Sequence, residues 1–245
     1  RDRNRAVEMQ TAEPERFSTA WQELTGRPGA IRLLVLIGLG TFGFGMADVL
    51  LEPYGGQALG FSVAETTRLT AILAGGTLVG FGIASRVLST GSCPVRLATL
   101  GAAIGIPGFA AIILSSSLVG PLLFVLGTLA TGIGAGLFGH GTLTQTIRCA
   151  PPRQIGLSLG AWGAVQATCA GIGIALAGIV RDILVALPAF SGLQPQTPYN
   201  IVFTVEILFL GLAILVAVPL AVRTLTTSAQ ENAPHTQRTP LEAPP

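Results

Sequence analysis

The chain contains no lysine, so all 14 basic residues among its 245 are arginines. Any reading of its charge distribution therefore rests on arginine alone. Charge of either sign is scarce, at 11% of residues, while 50% are hydrophobic and the mean hydropathy is +0.66. A water-soluble domain needs a polar surface that this composition does not supply, and a bilayer is the expected solvent. Cysteine is limited to Cys93, Cys149 and Cys169, with no C-x-x-C spacing, which argues against a disulfide framework or a zinc site and leaves ordinary thiols. Aspartate is limited to Asp2, Asp48 and Asp182, far apart in sequence. A prenyl-transferring membrane enzyme holds Mg²⁺ and diphosphate with clustered aspartates, so this half supplies no such site, although a missing half could, and a non-enzymatic role is the leading expectation. No apolar run with a basic leader and a small-residue cleavage site precedes the first long hydrophobic segment, and Arg1 stands where Met would. The start is therefore expected to lie inside a longer polypeptide.

What is abundant is glycine, with 32 residues falling mostly inside apolar stretches, as expected of tightly packed membrane helices. A spanning helix needs roughly 20 mostly apolar residues. Six segments qualify: Leu33–Pro53, Thr67–Leu88, Leu97–Ser115, Val119–Ile147, Ile155–Val180 and Asn200–Val222, separated by short polar or Gly/Pro-bearing turns. With both ends on one side, the arginines sort unevenly, and only Arg68 and Arg181 fall on the opposite side. Because basic loops are retained in the cytoplasm, both termini are expected there. Residues 1–28 form a connector in which Phe17, Ala20, Trp21 and Leu24 recur at helical spacing after Pro14 and before Gly26, the pattern of an interfacial amphipathic helix. Residues 29–223 form the six-helix bundle, and residues 224–245 are too polar to order themselves and read as a tail. The expected class is an all-α integral membrane protein. Six helices with both ends inside, after a connector of this length, have the shape of the C-terminal half of a major-facilitator-type twelve-helix fold, whose other half would lie upstream.

Ionisable side chains inside spans are costly and mark candidate sites. Asp48 and Glu52, four residues apart, share a helix face near the outer end of the first span, just before Pro53 is expected to break it. With Glu206 in the last span they form a candidate proton or polar-ligand site. His140 lies in the run Gly132-Ile-Gly-Ala-Gly-Leu-Phe-Gly-His-Gly141. Gly139 and Gly141 leave room for a flat macrocycle whose central metal the imidazole could ligate, the alternative being an interhelical hydrogen bond. Thr142, Thr144, Gln145 and Gln166 add polar groups of the kind that join membrane helices. Gly134-Ala-Gly-Leu-Phe-Gly139 satisfies G-x-G-x-x-G and Gly156-Leu-Ser-Leu-Gly160 satisfies G-x-S-x-G. Neither follows a strand, so a phosphate-binding turn and a nucleophile elbow are both rejected. These runs and Gly76-Thr-Leu-Val-Gly80 read instead as small faces for close helix approach.

The stretch Thr41-Phe-Gly-Phe-Gly-Met-Ala-Asp-Val-Leu-Leu-Glu-Pro-Tyr-Gly-Gly-Gln57 strongly resembles the PucC/LhaA family of photosynthetic bacteria, a divergent branch of the major facilitator fold. The resemblance continues through Ala84-Ser-Arg86 and Arg96-Leu-Ala and covers essentially Gly29 to Arg223, the family's C-terminal half. It implies assembly of light-harvesting antenna complexes in the intracytoplasmic photosynthetic membrane, with antenna polypeptides as partners, bacteriochlorophyll as cargo and no nucleic acid. On that view His140, Gly139, Gly141 and Gln57 would contact the pigment, with His140 at its magnesium. Ordinary facilitators carry an Asp-Arg motif where this chain has Ser85-Arg86. Without the acid the usual gating contact cannot form, which favours a pigment chaperone over a proton-coupled transporter of a tetrapyrrole or other amphiphile.

Overall fold

The computed structural model describes residues 17–116, 120–187, 192 and 194–231. These form eight α-helices: α1 (Phe17–Thr25), α2 (Ala30–Gly45), α3 (Ala47–Ala58), α4 (Val63–Ser89), α5 (Pro94–Leu114), α6 (Pro121–Cys149), α7 (Ile155–Ala186) and α8 (Thr197–Glu231). The six expected spans are all present as helices long and apolar enough to cross a membrane, with α2 and α3 together making the first. In lipid every backbone polar group must be satisfied within the segment, which is why each apolar run becomes a helix.

Most helix ends fall within about four residues of the sequence reading, and three differ by more. Pro53 does not break the first span: it lies inside α3, which continues to Ala58, and the bend falls earlier, at Met46. Proline removes only the bond to the Val49 carbonyl and crowds that one turn, which the helix absorbs without ending, and the bend at Met46 lies beyond its reach, next to Gly43 and Gly45. In the fifth span, α7 carries on past Val180 to Ala186, because Arg181 is compensated by Asp182 at 2.6 Å rather than left to end the helix. The last helix, α8, runs past Arg223 to Glu231, into the segment read as tail, while residues 232–245 lie outside the described residues. At the other end α1 forms where the amphipathic pattern placed it, with Leu24 buried and Trp21 exposed, and Pro14 lies outside the described residues.

The turn between the first two spans is closed locally. Gly60, at φ +69°, lets the amides of Leu59 and Phe61 both donate to the Gly55 carbonyl, at 3.3 and 3.0 Å. Ser62 then opens α4 in a reciprocal capping box with Glu65. Across the bundle, α6 packs against α4 and α5, the first span packs against α7 and α8, α5 meets α8, and α2 meets α6. Exchanging spans one to three for spans four to six maps most of these neighbours onto one another, first with fifth becoming fourth with second and third with fourth becoming sixth with first, whereas the packing of α7 against α8 has no equal between α4 and α5.

Helix α6 is the centre of this packing because it carries glycine on two faces. A Cβ at Gly76 of α4 would lie 2.7 Å from the Leu129 carbonyl oxygen of α6, and one at Gly80 would lie 3.0 Å from the Gly136 Cα. On its other face, a Cβ at Gly134 would stand 2.6 Å from the Gly101 carbonyl oxygen of α5, and one at Gly127 2.7 Å from that of Gly108. The G-x-G-x-x-G run is thus a two-sided packing surface. Gly156 and Gly160 do not serve in the same way: a Cβ at either meets nothing within 4 Å among the described residues, because α7 is the least buried span. A Gly76→Ala substitution is expected to cost about 1–3 kcal/mol, since the added methyl meets backbone that cannot yield, whereas Gly75→Ala, with open space at its Cβ, is expected to leave stability unchanged. Thermal unfolding of the two variants in mild detergent checks the contrast.

Candidate functional site

A cavity of about 430 Å³ opens where α2, α3, α4, α6 and α7 meet. Its walls are made small by Gly45, Ala135, Gly139, Gly163, Ala167 and Ala170, and its polar groups are Thr41, Asp48, Thr77, Thr131 and Gln166. The bend at Met46 turns α3 so that Asp48, in its first turn, faces this space with an exposed side chain. The hydroxyl oxygens of Thr41 and Thr131 are buried without a hydrogen-bond partner among the described residues. Thr77 differs, donating to the Leu73 carbonyl at 3.0 Å. An intramembrane carboxylate beside unpaired hydroxyls can accept a proton, hold a cation or receive donors from a polar ligand.

The other sequence candidates are dispersed. Glu52 points to α4, where the Thr70 hydroxyl donates to it at 2.5 Å. Glu206 is 0% exposed, pressed by α8 against the start of α3, where the Ala47 amide and the Asp48 carboxylate act on it. Neither of its oxygens completes a hydrogen bond of full geometry. Glu206 is thus packed against the same first turn of α3 that carries Asp48, and Glu52 is not joined to them. Gly139 lines the cavity but His140 does not: its half-buried ring lies beside Phe81 of α4, centroids 6.0 Å apart. Gly141 faces α5, where a Cβ would come within 2.8 Å of the Pro94 carbonyl oxygen. Gln166, read from sequence as helix glue, lines the cavity instead.

Gln57 belongs to a cluster at the far end of the bundle that sequence reasoning missed. The Arg181 guanidinium donates to the Tyr199 hydroxyl at 2.8 and 3.1 Å and to Gln57 Oε1 at 2.9 Å, and the Tyr199 hydroxyl donates to the same Gln57 oxygen at 2.8 Å. The guanidinium also lies 5.1 Å from the centre of the Tyr199 ring. Tyr199 in turn meets Tyr54 edge-on at 5.7 Å, and Tyr54 donates to the Ile112 carbonyl at 3.1 Å. This ties α3, α5, α7 and α8 together at one end. The available signal was Arg181 itself, one of only two arginines set apart from the others and therefore in need of a partner. A double-mutant cycle of Gln57→Leu and Tyr199→Phe is expected to give a coupling energy of about 1 kcal/mol in unfolding experiments. Additive effects would mean that the bond contributes nothing.

A family profile described as PUCC protein matches residues 1–225. Protein PucC of Rhodobacter capsulatus is 60% identical over 223 residues, covering 90% of this chain and 48% of that protein. Protein PucC of Cereibacter sphaeroides is 56% identical over 218 residues, covering 89% and 48% respectively. A more distant relative, the bacteriochlorophyll synthase 44.5 kDa chain of Rhodobacter capsulatus, is 26% identical over 212 residues, covering 83% and 47%. The chain thus spans about half the length of the curated relatives it matches. Similarity at this level over nine-tenths of the chain, together with the family profile, places the chain in the PucC protein family.

Proposed function

We propose that the protein is a membrane assembly factor for photosynthetic light-harvesting complexes, one that binds bacteriochlorophyll and delivers it to antenna polypeptides. The observation that carries this reading is the cavity between α2, α3, α4, α6 and α7, whose small side chains leave a slot and whose Asp48 and Gln166 put polar atoms into it. Flat aromatic cargo suits walls of glycine and alanine, and magnesium accepts oxygen ligands. The bacteriochlorophyll named in a relative supports the same cargo class. Because His140 is not in the lining, an oxygen of Asp48 or Gln166 takes the magnesium on this reading.

The near-symmetry of the packing under this exchange supports a major-facilitator half, in which two three-helix repeats build one domain. The upstream half of the full-length protein then closes the cavity along α4 and α7, the two least buried spans. The arginine distribution supports an orientation with both ends in the cytoplasm, in the intracytoplasmic photosynthetic membrane. One observation favours a second reading, proton-coupled transport of an amphiphile: the Asp48 carboxylate has no hydrogen-bond or ion-pair partner among the described residues and stands on the first turn of α3, against which Glu206 is packed.

The full-length protein, purified in mild detergent from pigment-making membranes, is expected to carry a bacteriochlorophyll absorption band. The cavity-filling substitution Ala135→Phe is expected to remove that band, and His140→Leu to leave it. Absence of the band from the unsubstituted protein would sink pigment carriage, and flux of a tetrapyrrole into liposomes that follows a pH gradient and is lost in Asp48→Asn would put transport in its place. Loss of the band in His140→Leu alone would return the magnesium to the imidazole.

A further inference from the structure

A second cavity, separate from the first, lies at the arginine-rich end of the bundle beneath α1. It has a volume of about 340 Å³ and is lined by α1, the start of α2, the ends of α6 and α8, and the start of α7. One wall is apolar, from Leu24, Leu33, Leu34 and Leu220. The opposite wall holds two polar side chains that are almost wholly buried and lack partners: Gln145, 6% exposed with its Oε1 unpaired, and Ser158, 3% exposed with its hydroxyl unpaired. Gln145 uses only its amide nitrogen, which donates to the Cys149 sulfur at 3.0 Å. Buried polar atoms without partners are costly and mark places where a ligand completes the bonding.

Positive potential converges on the same space. Arg27 lines it with an exposed side chain. The first turn of α2 also opens there, with Gly29 at φ +92°; the Ala30 amide donates to the Arg27 carbonyl at 3.1 Å, and no side chain caps the amides of Ile31 and Arg32 that follow. A helix N-terminus with uncapped amides beside a guanidinium is built for an anion. The acidic group on α1, Glu23, is already engaged, accepting from Gln154 Nε2 at 2.5 Å in a contact that straps α1 to the α6–α7 connection. The cavity therefore offers donors for a negatively charged oxygen, two hydrogen-bonding positions for a hydroxyl, and an apolar wall for a chain.

We propose that this cavity binds an amphiphile with an anionic, hydroxyl-bearing head, a glycerophospholipid of the phosphatidylglycerol type, with the phosphate at Arg27 and the α2 N-terminus. The head hydroxyls meet Gln145 Oε1 and Ser158, and the acyl chain lies along Leu24, Leu33 and Leu220. This site is independent of the pigment cavity: the two share no lining residue. It couples α1 to the bilayer surface, where anionic lipid is attracted to basic segments.

The test uses the whole protein, delipidated in mild detergent and titrated with phosphatidylglycerol, phosphatidylcholine or free glycerol 3-phosphate, with bound molecules counted by native mass spectrometry. Saturable binding of one phosphatidylglycerol, without matching phosphatidylcholine binding, is expected. Loss of one charge-assisted or buried hydrogen bond should weaken it about tenfold in Arg27→Gln and in Ser158→Ala, while Asp48→Asn in the other cavity should leave it unchanged. Arg27 is exposed, so that variant keeps the test sound if Ser158→Ala folds poorly. Equal binding of both lipids, or undiminished phosphatidylglycerol binding in Arg27→Gln, overturns the site. Displacement of the lipid by glycerol 3-phosphate at equal concentration overturns the lipid assignment and leaves a headgroup site only.

Discussion

Backbone-to-backbone approach along α6 is the constraint on which the rest of the bundle depends. Lipid tails are as apolar as leucine, so helices in a bilayer gain little from burying apolar side chains against each other and associate through close van der Waals contact instead. Gly132 and Gly136 on one face and Gly127, Gly134 and Gly141 on the other let α4 and α5 reach the α6 backbone itself. With those two helices drawn close, larger side chains are displaced to the remaining sides of α6. Phe138 fills the hollow under Gly40 of α2, where a Cβ would collide with its ring. The central cavity is what remains on the side where no glycine-to-backbone contact forms.

The polar groups follow from the same geometry. Helix α2 cannot continue straight into α3, and the bend at Met46 sets the start of α3 against Glu206 and into the cavity with Asp48. A buried carboxylic group next to an interrupted helix is costly unless something offsets it. Here the free amide end of α3 supplies the favourable dipole. At the other end of α3 the Arg181–Tyr199–Gln57 cluster holds α3, α7 and α8 in register, so the bend and the cluster constrain α3 from both sides.

Much of this architecture was legible in the residues, because a spanning helix is specified by a contiguous apolar run and by nothing further along the chain. The six spans, the amphipathic α1 and the packing role of Gly76, Gly80 and Gly134 were all local patterns. The site was less legible, since it depends on which way each helix is rotated about its axis. His140 and Gly139 are adjacent in sequence, yet only Gly139 lines the cavity. Gln57 and Tyr199, 142 residues apart, share a hydrogen bond that no spacing announces. Gly156 and Gly160 carry a packing motif and find no partner in this bundle, because a motif states what a face can do and not what stands opposite it. Pro53 shows a similar limit: a proline removes one bond of a helix without deciding that the helix ends there.

The turn from Gly55 to Glu65 bears on how the chain is made. Its carbonyl and amide groups are closed by Gly60, Ser62 and Glu65 alone, and the Thr70 to Glu52 bond joins the two helices just beyond it. Nothing translated later is needed to satisfy it. The first two spans can therefore leave the ribosome and enter the bilayer as a hairpin whose turn is closed by its own residues. Helix α6, on which the final packing depends, arrives only after the further crossing made by α5, so insertion and compaction are separate events in the life of this protein.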